Sequence, residues 1–266
     1  MNQVGLVFLG SVVTSIIVLG GLTLVEMLFP RERHSLKARA RGVVFWMLTL
    51  VFSTLVAATL APLWKSLQIR PLLTLEVERW FAWAGPFAGL LISLIVVLVT
   101  DFFGYWFHRI QHGPLWRFHA IHHSIEKMNA VNSYGFAGDT AFQFALMTIP
   151  MSLIPFGPYD APLYLTVWLA FQAVFLHSPT TLHYGWLGQL LSDNRYHRIH
   201  HSLEPRHFNK NYGTMTTVWD RVFGTAYFPA KDEWPDTGLS DVAEPRTIKE
   251  YLDLPLRFGR RQPVEV

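Results

Sequence analysis

Long uncharged apolar runs set the tightest limit on what this chain can fold into. Val4 to Leu24 holds no charged residue, and Val43 to Leu63 is a second such run. Each is about 21 residues, close to the ~20 that a helix needs to cross the hydrocarbon layer of a bilayer. Ala84 to Thr100 is a third, continued on both sides by aromatic sequence. In lipid every backbone N–H and C=O must be satisfied inside the structure, so such runs become helices. They predict spans near residues 4–24, 43–63 and 84–105. The composition agrees, because 51% hydrophobic and only 15% charged residues is greasy for a soluble domain. Met1 to Val4 lacks the basic start of a signal peptide, and no small-residue cleavage site precedes Glu26. The first run therefore reads as a retained span.

Residues 140–176 are apolar but interrupted by Pro150, Pro155, Gly157, Pro158 and Pro162. Two arms of about 15 residues are each short for a full crossing, which predicts a hairpin that enters and returns. A pair of core helices in a soluble domain is the alternative. Arg31, Arg33, Lys37, Arg39 and Arg41, opposed only by Glu32, join the first two spans. Short basic loops stay in the cytoplasm, so the N-terminus is expected outside and the third span runs inward. Trp64, Trp80 and Trp83 would then mark the outer interface, and Trp106 and Trp116 the inner one. Residues after the hairpin remain on the inner side.

That orientation brings together a second feature. All but His34 of the 12 histidines lie between His108 and His207. Eight of them form His108-x3-His112, His119-x2-His122-His123 and His197-x2-His200-His201. On a helix, residues i, i+3 and i+4 share one side, so each triplet is expected to point three imidazoles at one spot. Neutral imidazole is a common ligand for borderline transition metals. Eight exceed one tetrahedral sphere, so the count suggests two metal ions. His177, at the end of the second hairpin arm, is read as a ninth ligand. His183 is left open, and His207 and His34 read as surface residues.

Asp101, Tyr105, His108 and His112 make one stripe at the end of the third span. An acid there is costly unless paired or functional. Asp101 is expected to accept the far N–H of a metal-bound imidazole. Glu26 is expected to cap or to pair with Arg31 or Arg33. With no cysteine, the chain offers no disulfide, no cysteine–zinc site and no iron–sulfur ligand set. The net charge of +3 sits in basic segments suited to anionic headgroups. Phe, Trp and Ile flank the histidines rather than runs of Lys and Arg, so nucleic acid is not an expected partner. Residues 229–266 read as an irregular cytoplasmic tail with a short helix near Thr247–Leu252.

The three boxes and their flanks resemble the fatty acid hydroxylase/sterol desaturase superfamily of membrane di-metal oxygenases. Asp101-Phe-Phe-Gly-Tyr-Trp-Phe-His108-Arg109 is similar to the family's approach to its first box. Leu115-Trp-Arg-Phe-His119 through Ser124 is similar to its second. Asn211-Tyr-Gly213 and Trp219-Asp-Arg-Val-Phe-Gly-Thr225 resemble its C-terminal signature, and Glu26 to Pro30 also looks familial. The chain departs in Val131–Gly138, which lacks an Arg and a His that many members carry, and at Asn194, near where a proline often stands.

The resemblance implies an all-α integral membrane bundle with a cytoplasmic histidine-rich cap. Residues 1–105 would hold the spans, 106–228 the catalytic domain with the hairpin, and 229–266 the tail. It implies two iron ions, replaceable by zinc on purification, with O2 as co-substrate. The ligands would be His108, His112, His119, His122, His123, His177, His197, His200 and His201. The activity would be hydroxylation of a fatty acyl chain or sterol drawn from the bilayer, with desaturation on the same site as the alternative. No fused cytochrome b5-like domain is expected. Electrons would come from a separate donor of ferredoxin, rubredoxin or cytochrome b5 type with its reductase. The setting would be a bacterial inner membrane or the endoplasmic reticulum. A zinc hydrolase or metal-handling protein is the reading from another class. A hydrolase would usually carry a carboxylate inside the box, as in HExxH, and none is present.

Overall fold

The computed structural model describes residues 3–258. Its regular elements are helices, and among the described residues β-structure is limited to isolated bridges such as Pro30 with Thr180. The first two elements, α1 (Gln3–Leu28) and α2 (Leu36–Ser66), follow the first two apolar runs. Ser35 caps α2 by accepting from the Ala38 N–H at 3.3 Å, which satisfies one of the amides left free at a helix start. A short α3 (Val77–Phe81) leads through a kink at Gly85 into α4 (Ala88–Gln111). The stretch Val77–Gln111 is the third segment long and apolar enough to cross a membrane. The third span thus starts before residue 84 and runs on past residue 105 through the first histidine box.

A tight turn at Gly113–Leu115 starts α5 (Trp116–His123), which carries the second box. The apolar arms come next. The first is α6 (Asp139–Gln143), a π-helical turn at Phe144–Thr148, and α7 (Ile149–Ser152). The second is α8 (Leu163–Phe175), with the proline-rich turn between them. The third box lies on α9 (Asn194–His200), capped by Asp193, whose carboxylate accepts from the Arg195 and Tyr196 amides at 3.1 and 3.0 Å. Two helices follow among the described residues, α10 (Val218–Val222) and α11 (Ile248–Phe258). The last is longer than the helix expected near 247–252. Thr247 Oγ1 accepts from the Glu250 amide and Glu250 accepts from the Arg246 amide, at 3.1 and 2.7 Å. That pair works as a capping box.

The core sits where the membrane helices meet the histidine-bearing part. Phe45 of α2, Ile121 of α5, Ile125, Met128, Tyr134, and Tyr251 and Leu254 of α11 form one apolar cluster. Leu22 of α1 joins Ala130, Val174 and Phe175 in another. Burying each large side chain stabilises by ~1.5–3 kcal/mol. Away from these contacts the spans are bare, and the most apolar window of α1 has no buried residue. A helix of that kind is stable only with lipid around it.

The basic loop docks on the histidine-bearing part. The Arg31 and Thr181 amides donate to the Pro179 and Phe29 carbonyls at 2.8 and 2.9 Å. Glu32 receives Arg198 Nη2 and Trp234 Nε1, both at 2.6 Å. Burial alone would raise the Glu32 pKa. The His34 hydrogen bond, the Arg198 charge and the Trp234 hydrogen bond prevail and bring it down to about 2. Glu26 pairs with Arg39, not with Arg31 or Arg33. The turn between α1 and α2 brings the start of the next helix closer than the basic residues adjacent in sequence.

Candidate metal centre

Four pieces of chain deliver the imidazoles. α4 brings His108 and, at its C-cap, His112. α5 brings His119, His122 and His123, the end of α8 leads to His177, and α9 brings His197, His200 and, at its C-cap, His201. These nine form two adjoining groups. His108, His112, His119, His123 and His200 make a group of five, and His122, His177, His197 and His201 a group of four. In each, the ligand nitrogens lie within 4.8 Å of one another. His183 is exposed and stands in neither.

The expectation that each triplet converges on one spot is corrected here. Both triplets are divided. At about 100° per residue, positions i and i+4 lie ~40° apart, while i+3 and i+4 diverge by ~100°. His119 and His123 therefore go to the five-histidine group, and His122 to the other. On α9 His197 and His201 go to the four-histidine group, and His200 crosses over. The two helices interleave, with His123 and His201 stacked at the junction, ring centroids 4.3 Å apart.

Several ring orientations are fixed from behind. His108 Nδ1 lies 2.8 Å from the Tyr212 carbonyl and His200 Nδ1 2.8 Å from that of Lys210. His122 Nδ1 lies 3.1 Å from the Tyr134 carbonyl. A carbonyl only accepts, so each Nδ1 carries the proton, and the Nε2 lone pair of a neutral ring faces inward. There the Nε2 atoms crowd. His108 and His119 stand 3.1 Å apart, as do His112 and His200, and His122 and His177. His197 Nε2 is 3.1 Å from both His177 and His201. One proton cannot serve such a chain of acceptors. A shared cation can, and ligands bound at ~2.1 Å stand about 3.0 Å apart around an octahedral ion and about 3.4 Å around a tetrahedral one. His123 Nε2 is buried without a hydrogen-bond partner, as a ligand atom awaiting an ion would be. Burial first, and neighbouring imidazoles second, hold His112, His119, His123, His197, His200 and His201 well below the ordinary pKa. Burial brings His122 down to about 4. All are neutral near pH 7, the form that binds metal. The residues present thus fit two metal ions.

Asp101 does not meet an imidazole as expected. Its fully buried carboxylate accepts from the Thr214, Met215 and Thr216 amides and the Thr216 hydroxyl, at 2.6 to 3.3 Å. Asp220 accepts from the Tyr212 and Gly213 amides at 2.8 Å and from Thr225 Oγ1 at 2.6 Å. Together they fix the loop 210–217, whose carbonyls take the His108 and His200 protons. Gly213 is required in that loop, because a Cβ would meet the Thr216 carbonyl oxygen at 2.2 Å.

A second scaffold stands behind His122. Glu26 accepts from the Ala130 amide at 2.7 Å. Asn129 Oδ1 accepts from Arg39 and from the Val131 and Asn132 amides, at 3.0 to 3.3 Å. Glu244 accepts from Asn132 Nδ2 at 2.9 Å and the Tyr134 hydroxyl at 3.3 Å. α2 approaches this turn at Gly42, where a Cβ would meet the Val131 carbonyl oxygen at 2.4 Å.

His34 and His207, read as surface residues, are not. The His34 side chain is 5% exposed and pairs with Glu32. His207 is 1% exposed, between Ser202 and Glu233 at 2.8 and 3.1 Å. Asp220 and the carbonyls of Lys210, Tyr212 and Tyr134 escaped sequence reasoning. Asp220 and Tyr212 had a signal in the C-terminal signature, but backbone carbonyls leave none.

A family model described as fatty acid hydroxylase matches residues 93–225, from the second turn of α4 to just past α10. The ornithine lipid hydroxylase OlsE of Rhizobium tropici is 31% identical over 173 residues, 62% of this chain and 51% of that protein. The alkylglycerol monooxygenase of Homo sapiens is 27% identical over 218 residues, 79% of this chain and 44% of that one. A probable Delta(7)-sterol 5(6)-desaturase of Neurospora crassa is 30% identical over 143 residues, 52% and 39% of the two chains. The chain spans about half the length of the curated relatives it matches, or less. No solved structure matches it. The family match runs through all three histidine boxes and both loop-fixing aspartates, and it covers half of the sequence, so this chain belongs to the fatty acid hydroxylase family.

Proposed function

We propose that this protein is a membrane-bound diiron oxygenase that hydroxylates a C–H bond of a lipid, an acyl chain or a sterol. The observation that carries the reading is the pair of adjoining all-imidazole groups at the end of α4, the helix that leads out of the membrane-spanning part. The nine histidines named above would hold two iron ions, which when bound supply the activation of O2 and the attack on an unactivated C–H bond. The chain's own part is to hold the nitrogens in place. The carbonyls of Tyr212, Lys210 and Tyr134 orient three rings, and burial keeps all of them neutral. Trp116, 5.2 Å from the His112 ring and 5.4 Å from that of His123, walls the five-histidine group. α4 and the two apolar arms would line the side from which an acyl chain arrives.

The histidine side is proposed to be cytoplasmic, because the basic loop docks on it and short basic loops stay inside. Lacking cysteine, the chain would draw electrons from a separate donor of ferredoxin, rubredoxin or cytochrome b5 type. Desaturation is the second reading, favoured by the likeness to a probable sterol desaturase. Both reactions begin with removal of one hydrogen. They part at the second step, where either oxygen is added or another hydrogen leaves. A zinc hydrolase fits less well, since neither imidazole group contains a carboxylate.

Lipid mass spectrometry of cells with and without the gene tests the proposal. A gene-dependent lipid heavier by one oxygen atom is expected. Loss of two hydrogens would move the assignment to desaturation, and an unchanged lipidome with electron donor and O2 supplied would overturn both. Metal analysis of protein loaded with ferrous iron should find about two ions per chain, because nine imidazoles exceed one coordination sphere.

A further inference from the structure

α11 has three faces, and two of them are already explained. Tyr251, Leu254 and Pro255 are buried against the protein. Ile248, Leu252 and Leu256 are 48%, 53% and 67% exposed. At about 100° per residue these last three, spaced i, i+4 and i+8, form a stripe ~80° wide. That stripe borders the buried face rather than opposing it. Arg257 and Glu250 lie on the far side from the stripe, and Lys249 and Asp253 flank its Leu256 edge. A water-facing helix on a protein needs one apolar face. This helix has an additional apolar face with nothing of the described chain on it.

Its position says what covers that face. Tyr251 stacks on Phe45 of α2, ring centroids 4.8 Å apart and planes 10° from parallel. Phe45 lies four residues, about 6 Å, beyond Arg41, after which α2 has no charge until Lys65. α11 packs mainly on α5 and meets α2 through this stack, so Tyr251 marks the depth where charge gives way to hydrocarbon along α2. Arg41 reaches toward Glu244, just before α11, at 3.9 Å. Basic residues lie on the helix and just before it. Arg246, Lys249 and Arg257 are exposed, and Arg260 and Arg261 come after them in the sequence. The basic loop beginning at Arg31 ends at the same start of α2.

We propose that α11 is an interfacial anchor, lying in the plane of the bilayer surface with Ile248, Leu252 and Leu256 sunk among the upper acyl carbons of an anionic leaflet. An amphipathic helix with basic flanks binds in this way, its apolar side about 5–10 Å below the headgroups. Basic residues beside it add attraction to anionic lipid. The occupant of the stripe is lipid, not a second protein. The anchor also reaches the candidate centre, because Tyr251 and Leu254 share one apolar cluster with Ile121 of α5, the helix of the second histidine box. The anchor depends on the membrane helices and is independent of which metal, if any, the histidines hold.

The absence of cysteine makes the test direct. Single cysteines are introduced as Leu252→Cys and Ile248→Cys on the stripe and Asp253→Cys and Arg257→Cys on the polar side, at least about 100° away from both. Each is labelled with a bimane fluorophore, and the full chain is placed in nanodiscs containing phosphatidylglycerol. Leu252→Cys and Ile248→Cys should be quenched at least about threefold more by lipid nitroxides near the headgroup than the other two, and iodide should give the reverse order. Quenching of Leu252→Cys by iodide as strong as that of Arg257→Cys would overturn the proposal. So would protection of Leu252→Cys from both quenchers, the signature of a protein partner or a second copy on the stripe. All four sites are at least partly exposed, so folding is not at stake, and the agreement of two stripe positions guards against a local artefact.

Discussion

The two histidine groups differ less in their ligands than in what stands behind them. The group of five is backed by a loop, 210–217, that two buried aspartates fix through its amides. Two of its five rings donate to carbonyls of that loop. The group of four has one ring tied to a distant carbonyl, that of His122 to Tyr134. Its scaffold is the turn 129–134, held by Glu26 of α1, Arg39 of α2 and Glu244 ahead of α11. One group is thus set by a C-terminal loop pinned to α4 and α10, the other by a turn held from α1, α2 and the segment ahead of α11. Each scaffold has one glycine where no Cβ fits, Gly213 in the first and Gly42 in the second. Two sites of the same chemistry have separate mechanical supports, so they can be perturbed one at a time.

The largest expected effects come from the division of α9. His200→Ala and His197→Ala remove neighbours on one helical turn, yet they should empty different sites. Each should abolish activity and leave about one metal per chain. Loaded with cobalt, the two variants should give different visible spectra, because the surviving ion sits among four rings in one and five in the other. Identical residual spectra would sink the division of the boxes. Both variants keeping about two metals would sink the assignment of His197 and His200 as required ligands.

That division shows how far the sequence carries. The boxes were legible because i, i+4 spacing puts imidazoles on one side of a helix whatever surrounds it. The spans were legible because lipid tolerates little else. The split of each triplet comes from 100° per residue, but it emerges only once α9 is known to face α5. Proximity in sequence points Glu26 at Arg31 and Arg33, whereas the chain turn delivers Arg39. His34 and His207 stand among charged residues and read as solvated. Their burial comes from Glu32 and Glu233, which the fold brings over them. The stripe on α4 points Asp101 at an imidazole, yet its oxygens gather amides from a loop more than a hundred residues later. Sequence reports side-chain chemistry and local period. It is silent on which backbone carbonyl a ring will meet.

A middle range of effect separates the scaffolds. Asp220→Asn sets an amide donor against a backbone N–H whichever way it turns, because one carboxylate oxygen receives Tyr212 N–H and the other Gly213 N–H. The cost is about 1–3 kcal/mol. The metal of the five-histidine group should bind ~10–100-fold more weakly, as when outer partners of a ligand are removed. The other site should be unchanged. Glu26→Ala should do the opposite. It leaves Arg39 facing a buried gap, costs ~3–5 kcal/mol, and loosens the turn that orients His122. Competition with a graded chelator, read separately for each site by its cobalt spectrum, checks both. Equal weakening of both sites by either variant would mean that the scaffolds are mechanically one.

The smallest effect belongs to the histidine that looks most like a tenth ligand. His207 is as buried as His197 and His201 and lies six residues past the third box. Its partners argue against a metal role. Nδ1 faces Ser202 Oγ at 2.8 Å and Nε2 faces Glu233 at 3.1 Å, so both ring nitrogens are already engaged. Glu233 is also held by Tyr227 and Arg206, at 3.0 and 2.9 Å. It stays satisfied when the imidazole goes. What His207→Ala loses is two hydrogen bonds and one ring contact with Tyr227. At ~0.5–1.5 kcal/mol net per hydrogen bond, the loss of stability is about 1–3 kcal/mol. Metal content should stay at about two per chain, and most activity should remain at temperatures well below unfolding. A drop to about one ion in His207→Ala, with His119→Ala keeping two, would exchange their roles and redraw the boundary of the site.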